Sequence, residues 1–249
     1  MASTSETGHA KNVANFETMI SFCTGYGTQY NPAKATITLA ALGTKDTASV
    51  GALQNVSTLL PPWQNGVDAR EIIFDPFSKL VTKILNAVEA SDVTPQFIKD
   101  VKTLTRKLTG KRATKAIAPV VPPVIPPVVP TEKSISASQM SFDQRIENFG
   151  KLIDLLISNS AYAPNENDVK TTTLSTLRGT MVTSNATVKN AYTPLSNSRI
   201  KRDVILYDAI NGLVKCASDV KKYIKSVFGG TSNQYKQVSK LKFTTPKKH

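Results

Sequence analysis

QYNPAKATITLAALGTKDTASVGALQNVSTLL, residues 29–60, has a counterpart further along the chain in AYAPNENDVKTTTLSTLRGTMVTSNATVKNAYTPL, residues 161–195. With three extra residues in the second stretch, Leu39, Leu42, Asn55, Thr58 and Leu60 meet Leu174, Leu177, Asn190, Thr193 and Leu195. Leu39, Leu42, Asp46, Ser49, Leu53, Val56 and Leu60 fall at alternating steps of three and four, the spacing of one helical face. Leu174, Leu177, Met181, Ser184, Val188, Ala191 and Leu195 repeat that register, and Ser184 interrupts the apolar stripe where Ser49 does. Both stretches predict long helices that bury one face.

The likeness extends outward in the same order. NFETMISF from Asn15 matches NFGKLIDL from Asn148, and REIIFDPFSKLVTKILNA from Arg70 matches RDVILYDAINGLVKCAS from Arg202. TPQFIKDVKTLTRKLTGKR from Thr94 then matches TSNQYKQVSKLKFTTPKK from Thr231, pairing Lys99, Val101 and Leu104 with Lys236, Val238 and Leu241. Four segments in a shared order imply an internal duplication. With no period-two runs or hairpin turns, the expected fold is all-α: two tandem, related bundles of about four helices each, the second and third helices longest and antiparallel. The expected boundaries are a flexible tail at 1–10, a first bundle at 11–110, a linker at 111–140, a second bundle at 141–243 and a basic tail at 244–249.

Local signals mark helix ends. Thr94 before Pro95 reads as a cap and first helical residue, with Ile98, Val101, Leu104 and Leu108 facing inward and Gly110 as the stop. Pro76 either kinks a helix or restarts one behind Asp75. The second copy reads as unbroken there, with Leu206, Ile210, Leu213, Cys216, Val220, Ile224 and Phe228 on one face and Gly229–Gly230 ending it.

Between the copies lies KAIAPVVPPVIPPVVPTEK, residues 115–133. In polyproline II form the stretch from Pro119 to Pro130 would span roughly 37 Å, which suits a spacer. An SH3-like ligand wants a basic residue beside the P-x-x-P core, whereas here Glu132 precedes Lys133. Packing of the Val and Ile side chains along the protein itself is the third option.

The 249 residues are 40% hydrophobic, enough for substantial cores. Neither a signal peptide nor a membrane span is visible, so a cytoplasmic address is expected. Cys23 and Cys216 sit in apolar helical patterns, as buried free thiols do, in preference to a disulfide. Histidine occurs at His9 and His249, both in expected tails, which leaves no core general base, nucleophilic triad or common zinc site. TGYGTQ and LTGKRAT read as helix ends, because the first follows no strand and the second lacks the upstream glycine of a phosphate loop. Glu71 and Asp75, four apart, read as a solvated residue and a cap. No catalytic, cofactor-binding or metal-binding residue is assigned, no small-molecule substrate is indicated, and an enzyme is not expected.

Charge is the remaining lead. The net charge is +13, and residues 141–249 hold 17 basic against 8 acidic side chains where residues 1–110 hold 10 against 9. Lys215, Lys221, Lys222 and Lys225 line one expected helix, and Lys236, Lys240, Lys242, Lys247 and Lys248 follow, interleaved with Tyr235 and Phe243. These lysines and Tyr235 are the candidate partner- or polyanion-binding residues. Lysine rather than arginine, with no helix-turn-helix, zinc finger or RNA-binding signature, points away from nucleic-acid readout.

GGTSNQYKQVSKLKF near the end and GYGTQYNP after the first helix resemble segments of uncharacterised helical proteins of Bacteroidota, a resemblance that implies a duplicated helical architecture and no chemistry. The expected function is a non-enzymatic structural or protein-interaction protein, a scaffold or adaptor, meeting an acidic protein surface or a second copy of itself. The rival is a nucleic-acid-binding protein of low sequence specificity using the same lysines.

Overall fold

A computed structural model describes residues 8–110 and 140–246. Among them every regular element is helical and no strand occurs. Before residue 110 come α1 (His9–Gly25), single turns at Gly27–Gln29 and Ala35–Ile37, α2 (Leu39–Phe74), α3 (Phe77–Glu89) and α4 (Pro95–Thr109). After residue 140 come α5 (Phe142–Ile157), a turn at Asn167–Val169, α6 (Thr171–Tyr207), α7 (Leu213–Phe228) and α8 (Asn233–Ser239). The expected proline-rich spacer lies outside the described residues.

Contacts gather into two compact units that do not follow the expected boundaries. Of the described residues, one unit comprises 8–64 together with 190–246; the other comprises 65–110 and 140–189. Both divisions fall inside long helices, α2 and α6, which run on to Phe74 and Tyr207. Pro61 and Pro62 in α2 and Pro194 in α6 are carried inside the helices although each lacks the N–H that the helical ladder uses.

In the first unit, α1 packs on α7 and α8. Phe16, Met19 and Cys23 of α1 meet Leu42 of α2, Leu206 of α6, Leu213, Ala217, Val220 and Ile224 of α7, and Val238 of α8 in one core. Each large side chain buried this way contributes roughly 1.5–3 kcal/mol. In the second unit, α4 packs on α3 and α5. Its core joins Phe77, Val81, Ile84 and Val88 of α3, Val101 and Leu108 of α4, Phe149, Leu152 and Leu156 of α5, and Leu174 and Met181 of α6. A tyrosine closes the loop before the long helix in each: Tyr30 donates its hydroxyl to the Ile37 carbonyl (2.6 Å), and Tyr162 donates to that of Val169 (2.8 Å).

Several local expectations hold. The Phe97 N–H donates to the Thr94 hydroxyl (3.3 Å), Pro95 opens α4, and Gly110 closes it at φ 69°. Gly229, at φ 86°, follows the last residue of α7. α2 ends at Phe74 and α3 restarts at Phe77, but Asp75 is not its cap: Pro76 takes the cap position, and no side chain caps the helix.

Others require correction. The face from Leu206 to Phe228 is not one helix, because α6 ends at Tyr207 and α7 begins at Leu213. Asp208 Oδ1 accepts from the N–H groups of Ile210 (3.0 Å) and Asn211 (2.7 Å), which folds the backbone into a turn and leaves Ile210 75% exposed. Gly212 completes that turn: a Cβ there would lie 2.5 Å from Asp208 N and O. Only the second helix of each half is long, since α3 has 13 residues and α7 has 16. Leu39, at the start of α2, is exposed. The tail expected at 1–10 already contains the first two residues of α1, and the tail expected from 244 begins with a residue hydrogen-bonded to α1.

Candidate partner-binding surface

Eight of the ten candidate residues are described, and they fall on α7, on α8 and on the segment after it, all in the first unit. At 100° per residue, Leu213, Cys216, Ala217, Val220 and Ile224 define the buried face of α7; Lys215 and Lys222 lie on the opposite side, and Lys221 lies at the edge of the buried face with Lys225 between. The structure gives these lysines different tasks.

Lys215 Nζ donates to both carboxylate oxygens of Asp219, one turn on (2.6 and 2.7 Å), and Lys34 reaches the same carboxylate. These two ammonium groups hold the Asp219 carboxyl below its usual range. Lys221 bends to the C-terminal segment: Nζ donates to the Leu241 carbonyl and lies 5.2 Å from the centre of the Phe243 ring. Burial lowers the pKa of its ammonium. Lys225 is exposed, with Nζ 5.7 Å from the centre of the Tyr235 ring, and the Tyr235 N–H donates to the Ser232 hydroxyl that caps α8. Lys222, Lys236, Lys240 and Lys242 are exposed. Lys247 and Lys248 lie outside the described residues.

Lys215 and Lys221 thus act within the protein, and the outward charge is carried by Lys222, Lys225, Lys236, Lys240 and Lys242. The residues that hold this end of the chain escaped the sequence reading. Asn12, 1% exposed on α1, donates from Nδ2 to the Thr244 carbonyl (2.7 Å) and accepts at Oδ1 from the Thr244 N–H (3.0 Å). Asn15 donates to the Lys242 carbonyl (2.7 Å). His9 Nδ1 lies 2.7 Å from the Tyr207 hydroxyl, and burial first, then Arg202, lowers its pKa. His9 therefore belongs to the packed unit and not to a tail. Asn12, one step from Val13 and four before Phe16 on the buried face of α1, was the available signal.

Elsewhere, Glu71 and Asp75 line an open cleft of the second unit with Phe74, Phe142 and Arg145. Both carboxylates are exposed. Among the described residues no three His, Cys, Asp or Glu side chains come together in a metal-binding group, and no helix is long and apolar enough to cross a membrane. Comparison with known protein families, with curated proteins and with solved structures finds no match to this chain.

Proposed function

We propose that this chain is a non-enzymatic structural or protein-interaction protein, a scaffold or adaptor, built from two related helical repeats. The pairing Tyr30–Ile37 and Tyr162–Val169, each seven residues long and each followed by the long helix, supports the duplication. So does the core register: Phe77, Val81, Ile84 and Val88 recur as Leu213, Ala217, Val220 and Ile224. On this reading the repeats are exchanged rather than laid in tandem, because the first helix of the later copy packs on the last helix of the earlier one, and α1 packs on α7 and α8.

The observation that carries the functional reading is the internal use of the basic groups. Lys215 is neutralised by Asp219 and Lys221 is spent on Leu241 and Phe243, so the face left for a partner is smaller than the sequence charge implies. Five outward lysines suit an acidic protein surface, including one on a second copy. Light scattering coupled to a sizing column tests self-association, and fluorescence anisotropy with a generic duplex and a single strand at two salt concentrations tests the rival. No binding to either nucleic acid at low salt is the expected result. Tight, salt-sensitive binding lost on joint neutralisation of Lys222, Lys225, Lys236, Lys240 and Lys242 would install the nucleic-acid reading instead.

A further inference from the structure

We propose that the groove between α1 and α7 is a binding site for extended peptides, filled in this chain by its own residues Leu241–Thr244. The contacts have the pattern of a bound strand. Asn12 closes both the N–H (3.0 Å) and the C=O (2.7 Å) of Thr244, two groups that point the same way when the residue is extended. Asn15, three residues on along α1, takes the carbonyl of Lys242 (2.7 Å), two residues back along the segment. Lys221 of α7 takes the carbonyl of Leu241 and covers the Phe243 ring. Residues 242 and 244 are thus read from α1 while 241 and 243 are read from α7, the period-two alternation of an extended backbone lying between two helices.

All four of these hydrogen bonds end on main-chain atoms, so the site reads the shape of the backbone, and one side chain, Phe243, supplies selectivity. Recognition of this kind is tolerant of sequence and accepts a segment from another molecule as readily as its own. The ligand class is an extended peptide with an aromatic residue in the place of Phe243. The tethered segment holds the site at an effective concentration on the order of millimolar, which makes it an internal competitor. The side chains of the outward lysines that carry the proposed function take no part, Lys242 entering through its carbonyl alone, so this inference does not depend on that reading.

The probe is a labelled peptide of residues 239–246, added to the full chain. Thr244→Pro deletes the N–H that Asn12 accepts, and Phe243→Ala empties the place beneath Lys221. Each variant should bind the peptide at least about tenfold more tightly than the wild-type chain, whose site is filled. Adding Asn15→Ala should weaken binding to the opened chain by about five- to tenfold. Peptide and protein are both basic, so binding should not weaken as salt rises. In the wild-type chain the Thr244 amide should be protected from hydrogen exchange and should lose protection with excess peptide. Equal binding to wild type and to both variants, absence of binding to an opened chain with full helical circular dichroism, or an unprotected Thr244 amide would each overturn the proposal.

Discussion

Replacing Tyr30 or Tyr162 with phenylalanine removes one hydroxyl and keeps the ring, so each change deletes the loop-closing hydrogen bond, and at Tyr30 also the hydroxyl's hydrogen bond with the Cys23 thiol. The acceptors are the carbonyls of Ile37 and Val169, at 2.6 and 2.8 Å, and both tyrosines are buried. A buried acceptor left without its donor costs roughly 1–3 kcal/mol. Taking about 2 kcal/mol and a urea dependence of about 2 kcal/mol per molar, each substitution should lower its unit's unfolding midpoint by about 1 M. The two tyrosines belong to different compact units and share no partner, so the costs should add. Burial also pushes both hydroxyls up, that of Tyr162 to about 12. The unfolded tyrosine releases its proton near pH 10. The contribution of Tyr162 is therefore complete below pH 10 and is lost as pH rises from there to about 12, and the gap between wild type and Tyr162→Phe should close over that window. Urea titrations followed by circular dichroism at pH 7 and pH 11 measure both effects. A cost below about 0.5 kcal/mol at either site, or a large cost at one and none at the other, would refute the claim that the two loops are equivalent clamps.

Gly212→Ala should destabilise the first unit by about 1–3 kcal/mol, because the new methyl meets Asp208 N and O at 2.5 Å; Gly43→Ala, with open space around it inside α2, should stabilise by about 0.5–1 kcal/mol. Thermal melts of the pair should move in opposite directions. Burial pushes the Cys23 thiol up to about 11 and raises that of Cys216, so Ellman's reagent at pH 8 should find almost no thiol in the native protein and two in denaturant. Asp219→Asn should cost about 0.5–1 kcal/mol at neutral pH, where the ion pairs with Lys215 and Lys34 are intact. Because the folded Asp219 pKa is depressed, that difference should be complete above about pH 4 and disappear as pH falls through the folded pKa, which urea titrations across pH 2–7 would follow.

The helical class, the two long stripes and the caps at Thr94, Gly110 and Gly229 were legible because each is a local signal: a period, a capping hydroxyl, a glycine at positive φ. The division into units was not. Periodicity identifies the buried face of α2 but does not say which helix will cover it, and α2 serves one unit up to residue 64 and the other from 65. The break between α6 and α7 escaped because Leu206, Ile210 and Leu213 keep helical spacing while Asp208 and the Asn211–Gly212 pair favour a turn, and the turn prevails once Ile210 has nothing to bury against. At the candidate surface the lysine positions could be read but their tasks could not, since Lys221 and Asn12 act on residues 20 and 232 positions away in sequence.

The proposed duplication also explains why, among the described residues, the internal ligand is found in one unit alone. Counted from Asn15 and Asn148, the place of Asn12 on α1 is taken on α5 by Arg145, whose guanidinium lies 5.1 and 5.0 Å from the Phe74 and Phe77 ring centres and donates to the Phe74 carbonyl (3.4 Å). The fourth helices diverge with it. α4 runs from Pro95 to Thr109 and satisfies its own main chain, whereas α8 stops at Ser239. A local contribution comes from Thr245, which precedes Pro246 and is driven out of the helical region, with β-branched Thr244 adding to the effect. A segment that cannot be helical presents N–H and C=O groups that must find partners when packed. Asn12, Asn15 and Lys221 supply them. A chain in which Thr244, Thr245 and Pro246 become Ala should therefore extend α8 beyond Ser239, gain helical circular dichroism, and lose protection at the Thr244 amide; unchanged ellipticity and protection would show that α1 and α7, rather than the proline, hold the segment extended.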